Sequence, residues 1–138
     1  MSDTLNICGL TVERGHKLRT FLPVPDTNVK IPLTIINGCE DGPTLLITAG
    51  IHGGEYPGIA AAMELGRDIE SADVHGILIM MHPVNIQGFW ARREMIVPED
   101  GKNLNRVFPG DPLGTLADKT AYLISSNFFP IADFYVDM

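Results

Sequence analysis

His52-Gly53-Gly54-Glu55 places an imidazole and a carboxylate three residues apart, with Tyr56-Pro57 directly after them. Zinc accepts both His nitrogen and carboxylate oxygen, and a catalytic zinc commonly takes three protein ligands and leaves one position for water. The two glycines let the backbone turn tightly without a Cβ clash, so that both side chains can face one ion. The competing reading is a polar glycine turn that holds nothing. A second group lies downstream, in Asn103-Leu104-Asn105-Arg106. The guanidinium fork of Arg106 matches a carboxylate in a bidentate way, and Asn105 adds an amide donor. Arg92 and Arg93 stand earlier in the same stretch, and one of them could stabilise a reacting carbonyl electrostatically. A solvated surface position is the competing reading for every arginine. It is preferred for Arg93, Lys102 and Asp111, and both readings stay open for Arg106.

These residues need a frame. Thr44 to Ala49 is a short continuous apolar run, as expected of a parallel strand covered on both faces. A helix is expected from Pro57, since proline suits a first helical turn. Ile59, Met63, Gly66 and Ile69 recur at helical spacing on one face. Gly76 to His82 reads as a second buried strand, so strand, helix and strand form a βαβ unit. Upstream, Leu5 to Val12 reads as one strand and Val29 to Asn37 as another, which Pro32 directs to a sheet edge. Asn37 to Pro43 is a turn.

Residues 83–114 show no clear periodicity, and a loop of that length is usually functional or disordered. Thr115-Leu116-Ala117-Asp118 resembles a capped helix start, with Tyr122, Leu123, Ile124 and Phe128 as its buried side. Asp133 to Met138 reads as a last strand. Ligands of open α/β sheets bind beyond the carboxyl ends of the strands. His52, the long loop and Met138 all sit at such ends.

A net charge of −7 over 138 residues argues against a nucleic-acid partner, which needs a basic footprint. It does not exclude an acidic substrate, because a few local arginines override the global field. With 45% hydrophobic residues the chain can bury a core. Cys8 and Cys39 form no CxxC pattern and read as reduced cysteines of a cytoplasmic protein. Residues 1–10 lack the form of a signal peptide, and the longest apolar stretch, Ile77 to Met81, is too short to span a bilayer.

Several segments together resemble the succinylglutamate desuccinylase/aspartoacylase family within the zinc carboxypeptidase superfamily. They are Asp41 to Thr44, Ala49 to Gly58, Asn85 with Gly88-Phe89, Asp100 to Gly110, and Ala132 to Asp137. The resemblance runs in order along essentially the whole chain. It implies an α/β fold with a zinc-carboxypeptidase-like mixed sheet flanked by helices. Residues 1–138 would form the N-terminal part of the catalytic domain, truncated after the strand ending at Met138. It implies Zn2+ as cofactor, with His52 and Glu55 matching the first two zinc ligands. Asn105 and Arg106 match the pair that binds the substrate carboxylate. Arg92, just after Phe89-Trp90-Ala91, matches the arginine that polarises the scissile carbonyl, with Arg93 as the fallback.

The family hydrolyses an amide between an acyl group and an amino acid or related amine, so the implied substrate is a small acidic acyl-amino acid. In the family the third ligand is a histidine that follows a strand like Phe134 to Met138, and the general-base glutamate comes later still. Both are expected to lie outside this chain. His82, Asp137 and Glu99 are the chain's own conceivable substitutes, whereas His16 and His75 read as surface residues. Two other functions compete with the deacylase: a non-catalytic remnant that keeps a carboxylate cradle, and a half-site completed by another chain. The latter includes a homo-oligomer formed through an unpaired sheet edge.

Overall fold

The computed structural model describes residues 3–138. Its centre is a five-stranded mixed sheet. Strands β1 (Thr4–Ile7) and β2 (Leu10–Glu13) form a separate antiparallel hairpin. Strands β3 (His16–Pro23), β4 (Lys30–Asn37), β5 (Glu40–Thr48), β6 (His75–Met81) and β7 (Phe134–Asp137) lie in the order β3-β4-β6-β5-β7. β3 and β4 are antiparallel, as are β4 and β6, whereas β5 runs parallel to both β6 and β7. The carboxyl ends of β5, β6 and β7 therefore share one edge of the sheet, where ligands of such sheets bind.

Helix α1 (Tyr56–Asp68) connects β5 to β6. Helices α2 (Ile86–Ala91) and α3 (Leu116–Asn127) fall between β6 and β7. The apolar runs of the central strands split by alternation between two cores. Leu33, Ile35, Leu46, Ile79 and Met81 point into the larger core, with Leu116, Ala121 and Ile124 of α3 and Ile7 and Val12 of the hairpin. Ile36, Ile47, Leu78 and Met80 form a second cluster, and Ile59 and Ala62 of α1 pack with Ala49 in a third. Helices on both sides are what make continuous apolar strands stable here.

Several expectations need correction. The span Leu5 to Val12 is two strands, because Cys8 and Gly9 both take positive φ (49° and 76°). That is the geometry of a tight hairpin turn. Pro32 lies in β4, which is an interior strand, not an edge. Its carbonyl accepts from the His82 N–H at 3.1 Å, where β6 has just ended, so its missing N–H breaks no ladder within the sheet. β3, one of the two edge strands, carries His16, Lys17 and Arg19, polar side chains that mask the strand pattern; Lys17 Nζ donates to Arg67 O, Ile69 O and Glu70 at the end of α1. The segment Asn37 to Pro43 turns only at its start, since β5 begins at Glu40, with a bulge before Thr44.

In α1 the buried residues are Ile59, Ala62 and Gly66, and Met63 is half-exposed. In α3, Leu123 and Ile124 are buried, as is Phe128 just beyond it, but Tyr122 faces outward. The expected capping box is present: Thr115 and Asp118 each accept or donate across the first turn of α3.

Candidate functional site

The loop after β5 is built on backbone contacts at the sheet edge. Ala49 N–H donates to Met81 O at 2.9 Å and Asn85 N–H to Gly50 O at 2.9 Å, which ties the ends of β5 and β6 together. Gly50 takes φ +69° and its N–H donates to Met138 O at 3.2 Å, so the end of β7 is held beside the same loop. Ile51 is buried as an anchor, and His52 follows half-buried. Glu55 is the N-cap residue of α1, so helix α1 starts directly from the loop.

The glycines between them do a different job from the one their spacing suggests. Neither Gly53 nor Gly54 has a positive φ. A Cβ on Gly53 would lie 2.4 Å from the backbone of Gly88 and Phe89, and one on Gly54 would lie 2.8 Å from Glu94 Cα. The motif is glycine-rich because the segment 88–94 packs directly on its backbone. Asn85 orders that segment: its Oδ1 accepts from Gly88 N–H at 2.9 Å and its Nδ2 donates to Ile96 O at 3.0 Å.

His52 Nδ1 and Glu55 Oε1 are 3.0 Å apart, and His52 Nε2 lies 3.0 Å from Asn103 Oδ1. Asn103 Oδ1 also accepts from the Asn105 N–H at 3.0 Å, which identifies that atom as the oxygen. An oxygen cannot donate, so Nε2 carries the hydrogen and a neutral imidazole presents a bare Nδ1 to the Glu55 carboxylate. Two acceptors then face each other, an arrangement completed by a proton or a cation between them. Partial burial works against the charged imidazole, but the hydrogen bonds to Glu55 and Asn103 and the charge of Glu55 outweigh it. His52 is thus held above its ordinary pKa, with Arg106 pulling the other way. A donor set of one imidazole nitrogen and one carboxylate oxygen, with the second nitrogen fixed by an outer partner, fits zinc chemistry.

The segment carrying Asn105 and Arg106 is a single 3-10 turn, Leu104–Arg106, pinned by the fully buried Leu104. Asp100 bridges it to α3: Oδ1 accepts from Lys102 N–H at 3.0 Å and Oδ2 from Ala117 N–H at 2.8 Å. Lys102 Nζ donates to Asp118, and the backbone of Gly110 packs so closely on α3 that a Cβ would meet Tyr122 N at 2.2 Å. Asn105 and Arg106 are left exposed, and Arg106 is near enough for its charge to act on His52.

Arg92 caps α2 in the left-handed conformation (φ 54°, ψ 39°), and its side chain is exposed, as is that of Arg93. Among the described residues, no hydrogen bond or ion pair involves either arginine's side chain. Lys102 departs from its reading as a free surface residue, because it pairs with Asp118.

Of the three conceivable substitute ligands, only Asp137 stands by His52. Its Oδ1 accepts from Thr48 Oγ1 at 2.7 Å; desolvation lifts its carboxyl above the ordinary value, and Glu55 and His52 are close enough to act on it. His82 is buried on the α1 side, with Nε2 2.9 Å from Thr34 Oγ1 and Gly66 alongside; burial pushes it below its ordinary pKa. Glu99 accepts from Gln87 at 3.3 Å instead. Among the described residues no group of three His, Cys, Asp or Glu gathers around one point. Asn103 and Asp100 lie in a motif that was legible, yet no role for either was read from it. The signal was Leu104, whose burial between two asparagines sends Asn103 inward and leaves Asn105 free.

Residues 41–138 match the family model of the succinylglutamate desuccinylase/aspartoacylase catalytic domain. The chain is 38% identical over 125 residues to N-alpha-acetyl-L-2,4-diaminobutyric acid deacetylase of Halomonas elongata, covering 86% of this chain and 36% of that protein. A succinylglutamate desuccinylase/aspartoacylase structure from Rhodobacter sphaeroides superposes with a TM-score of 0.84 at 36% identity, over 91% of this chain and 40% of that one. The product-bound structure of the ectoine utilization protein EutE (DoeB) from Ruegeria pomeroyi gives 0.83 at 38% identity, with the same coverage. The chain thus spans about two fifths of the length of these relatives. Among the described residues, no helix is long and apolar enough to cross a membrane.

Proposed function

This chain belongs to the succinylglutamate desuccinylase/aspartoacylase family, and from that premise we propose that it contributes the metal- and carboxylate-binding half of a zinc-dependent N-acyl amino acid deacylase. The observation that carries the reading is the facing pair of acceptors, His52 Nδ1 and Glu55 Oε1, 3.0 Å apart at the shared carboxyl edge of three parallel strands. His52 and Glu55 would hold the zinc, which would supply Lewis-acid activation of a water and of the scissile carbonyl. Asn103 holds the imidazole in the tautomer that keeps Nδ1 free. Arg106 and Asn105 grip the substrate carboxylate, and Arg92 steadies the charge that develops on the scissile carbonyl oxygen. The substrate class is supported by the Halomonas relative, whose name states the removal of an acetyl group from an amino acid.

A second reading is a half-site that another chain completes. It is favoured by the exposure of all four residues of the edge strand β7. An unpaired strand edge recruits further strands.

Calorimetric titration with Zn2+ tests both. This chain's two donors should give one-to-one binding of about 1 μM or weaker, near 8 kcal/mol, abolished in His52→Ala. Affinity that rises with protein concentration would favour completion by another chain. Identical titrations for the wild type and His52→Ala would overturn the assignment of the metal site.

A further inference from the structure

On the β3 side of the sheet, away from His52, an open groove of about 850 Å3 runs between β3, β4, α1 and α2. Its volume falls in the range of small-molecule sites. Its walls include Phe21, Met63 and Trp90, which are 61%, 49% and 75% exposed. Such large side chains rarely face water together unless something covers them. The rim carries Arg19 and Lys30, and no Asp or Glu lines the groove. That contrasts with the chain as a whole, which has 17 acidic residues against 10 basic ones. Among the described residues neither Arg19 nor Lys30 has an ion-pair partner. His82 also lines the groove, and burial lowers its pKa. Apolar walls with two unpartnered cations at the rim complement an anion carried on an apolar body.

We propose that this groove binds a small aryl carboxylate, its ring against Phe21 and Trp90 and its carboxylate at Arg19 and Lys30. The exposed aromatics favour a ring over an alkyl chain, because edge and face contacts between rings add to plain burial. The site is separate from the proposed deacylase site: none of its lining residues belongs to the 50–55 loop or to the 103–106 turn. Phe89 stands between the two, lining the groove and meeting Tyr56 edge-on at 5.9 Å.

Trp90 is the chain's only tryptophan, so its emission reports on the groove directly. Titration of the full chain with phenylbutyrate should give a saturable, one-to-one emission change. Arg19→Gln should weaken it about tenfold, as should replacing the carboxylate with the alcohol in phenylbutanol. Arg106→Ala, which removes the other carboxylate fork, should leave the affinity for phenylbutyrate unchanged. Equal affinity for the acid and the alcohol would overturn the proposal, as would loss of the signal in Arg106→Ala. An emission change with protein concentration alone would assign the groove to a second copy of the chain and would equally overturn it.

Discussion

The segment 49–55 is held by its backbone, whereas the segment 100–110 is held by side-chain charges. In the first, hydrogen bonds from Ala49, Gly50 and Asn85 join three strand ends, and Gly53 and Gly54 accept another backbone at contact distance. In the second, Asp100, Lys102 and Asp118 tie the loop to the start of α3, with one buried leucine as the pin. The two segments meet at a single hydrogen-bonded junction, His52 Nε2 to Asn103 Oδ1. The pair proposed as metal ligands, His52 and Glu55, gains from a rigid mount, because small displacements separate them. A surface proposed to grip a substrate carboxylate tolerates a mount that depends on pH and salt.

The sharpest way to break the contrast is Gly53→Ala. The added methyl meets backbone that cannot swing aside, so we expect a loss of about 3 kcal/mol in urea unfolding. An unchanged midpoint would mean that segment 88–94 is not packed there as described.

On the charged side the expected effect is smaller and depends on pH. Asp118 is held below the ordinary carboxylate value, chiefly by the Lys102 ammonium and then by the Thr115 N–H. The folded protein therefore takes up that proton less readily than the unfolded chain. The stabilisation is complete above the ordinary value of 3.8 and is lost as the pH falls through the lower folded one. Asp118→Asn should flatten the acid limb of a stability profile and leave segment 49–55 as it was. An acid limb identical to the wild type would assign the slope to other carboxylates.

The smallest effect is expected at Arg92, where a non-glycine residue sits in the left-handed region. Arg92→Gly should raise stability by about 1 kcal/mol by relieving that conformation, while removing the guanidinium proposed to face the carbonyl. Stability and any zinc-dependent hydrolysis would then move in opposite directions. A gain in both would remove Arg92 from the site.

Much of the frame was legible because its signals are local. The apolar runs of β5 and β6, the proline at the start of α1 and the Thr115–Asp118 box each act within a few residues. β3 was not legible, since an edge strand studded with His16, Lys17 and Arg19 loses the alternation that marks a half-buried strand. Pro32 misled because its missing N–H matters only where a partner strand continues, and β6 has ended at that level.

From its own residues the sequence determined which groups are offered: an imidazole and a carboxylate across two glycines, an amide beside an arginine, and strands that carry them to one edge. Only the tertiary structure decided how they meet. The glycines answer to segment 88–94, the tautomer of His52 answers to Asn103, and the carboxylate of Asp100 answers to the first turn of α3. The physical reason is range. Propensity, capping and periodicity act along a few residues of chain, whereas close backbone packing and the desolvation that shifts a pKa come from residues distant in sequence. Their partners exist only once the sheet and its helices have closed around them.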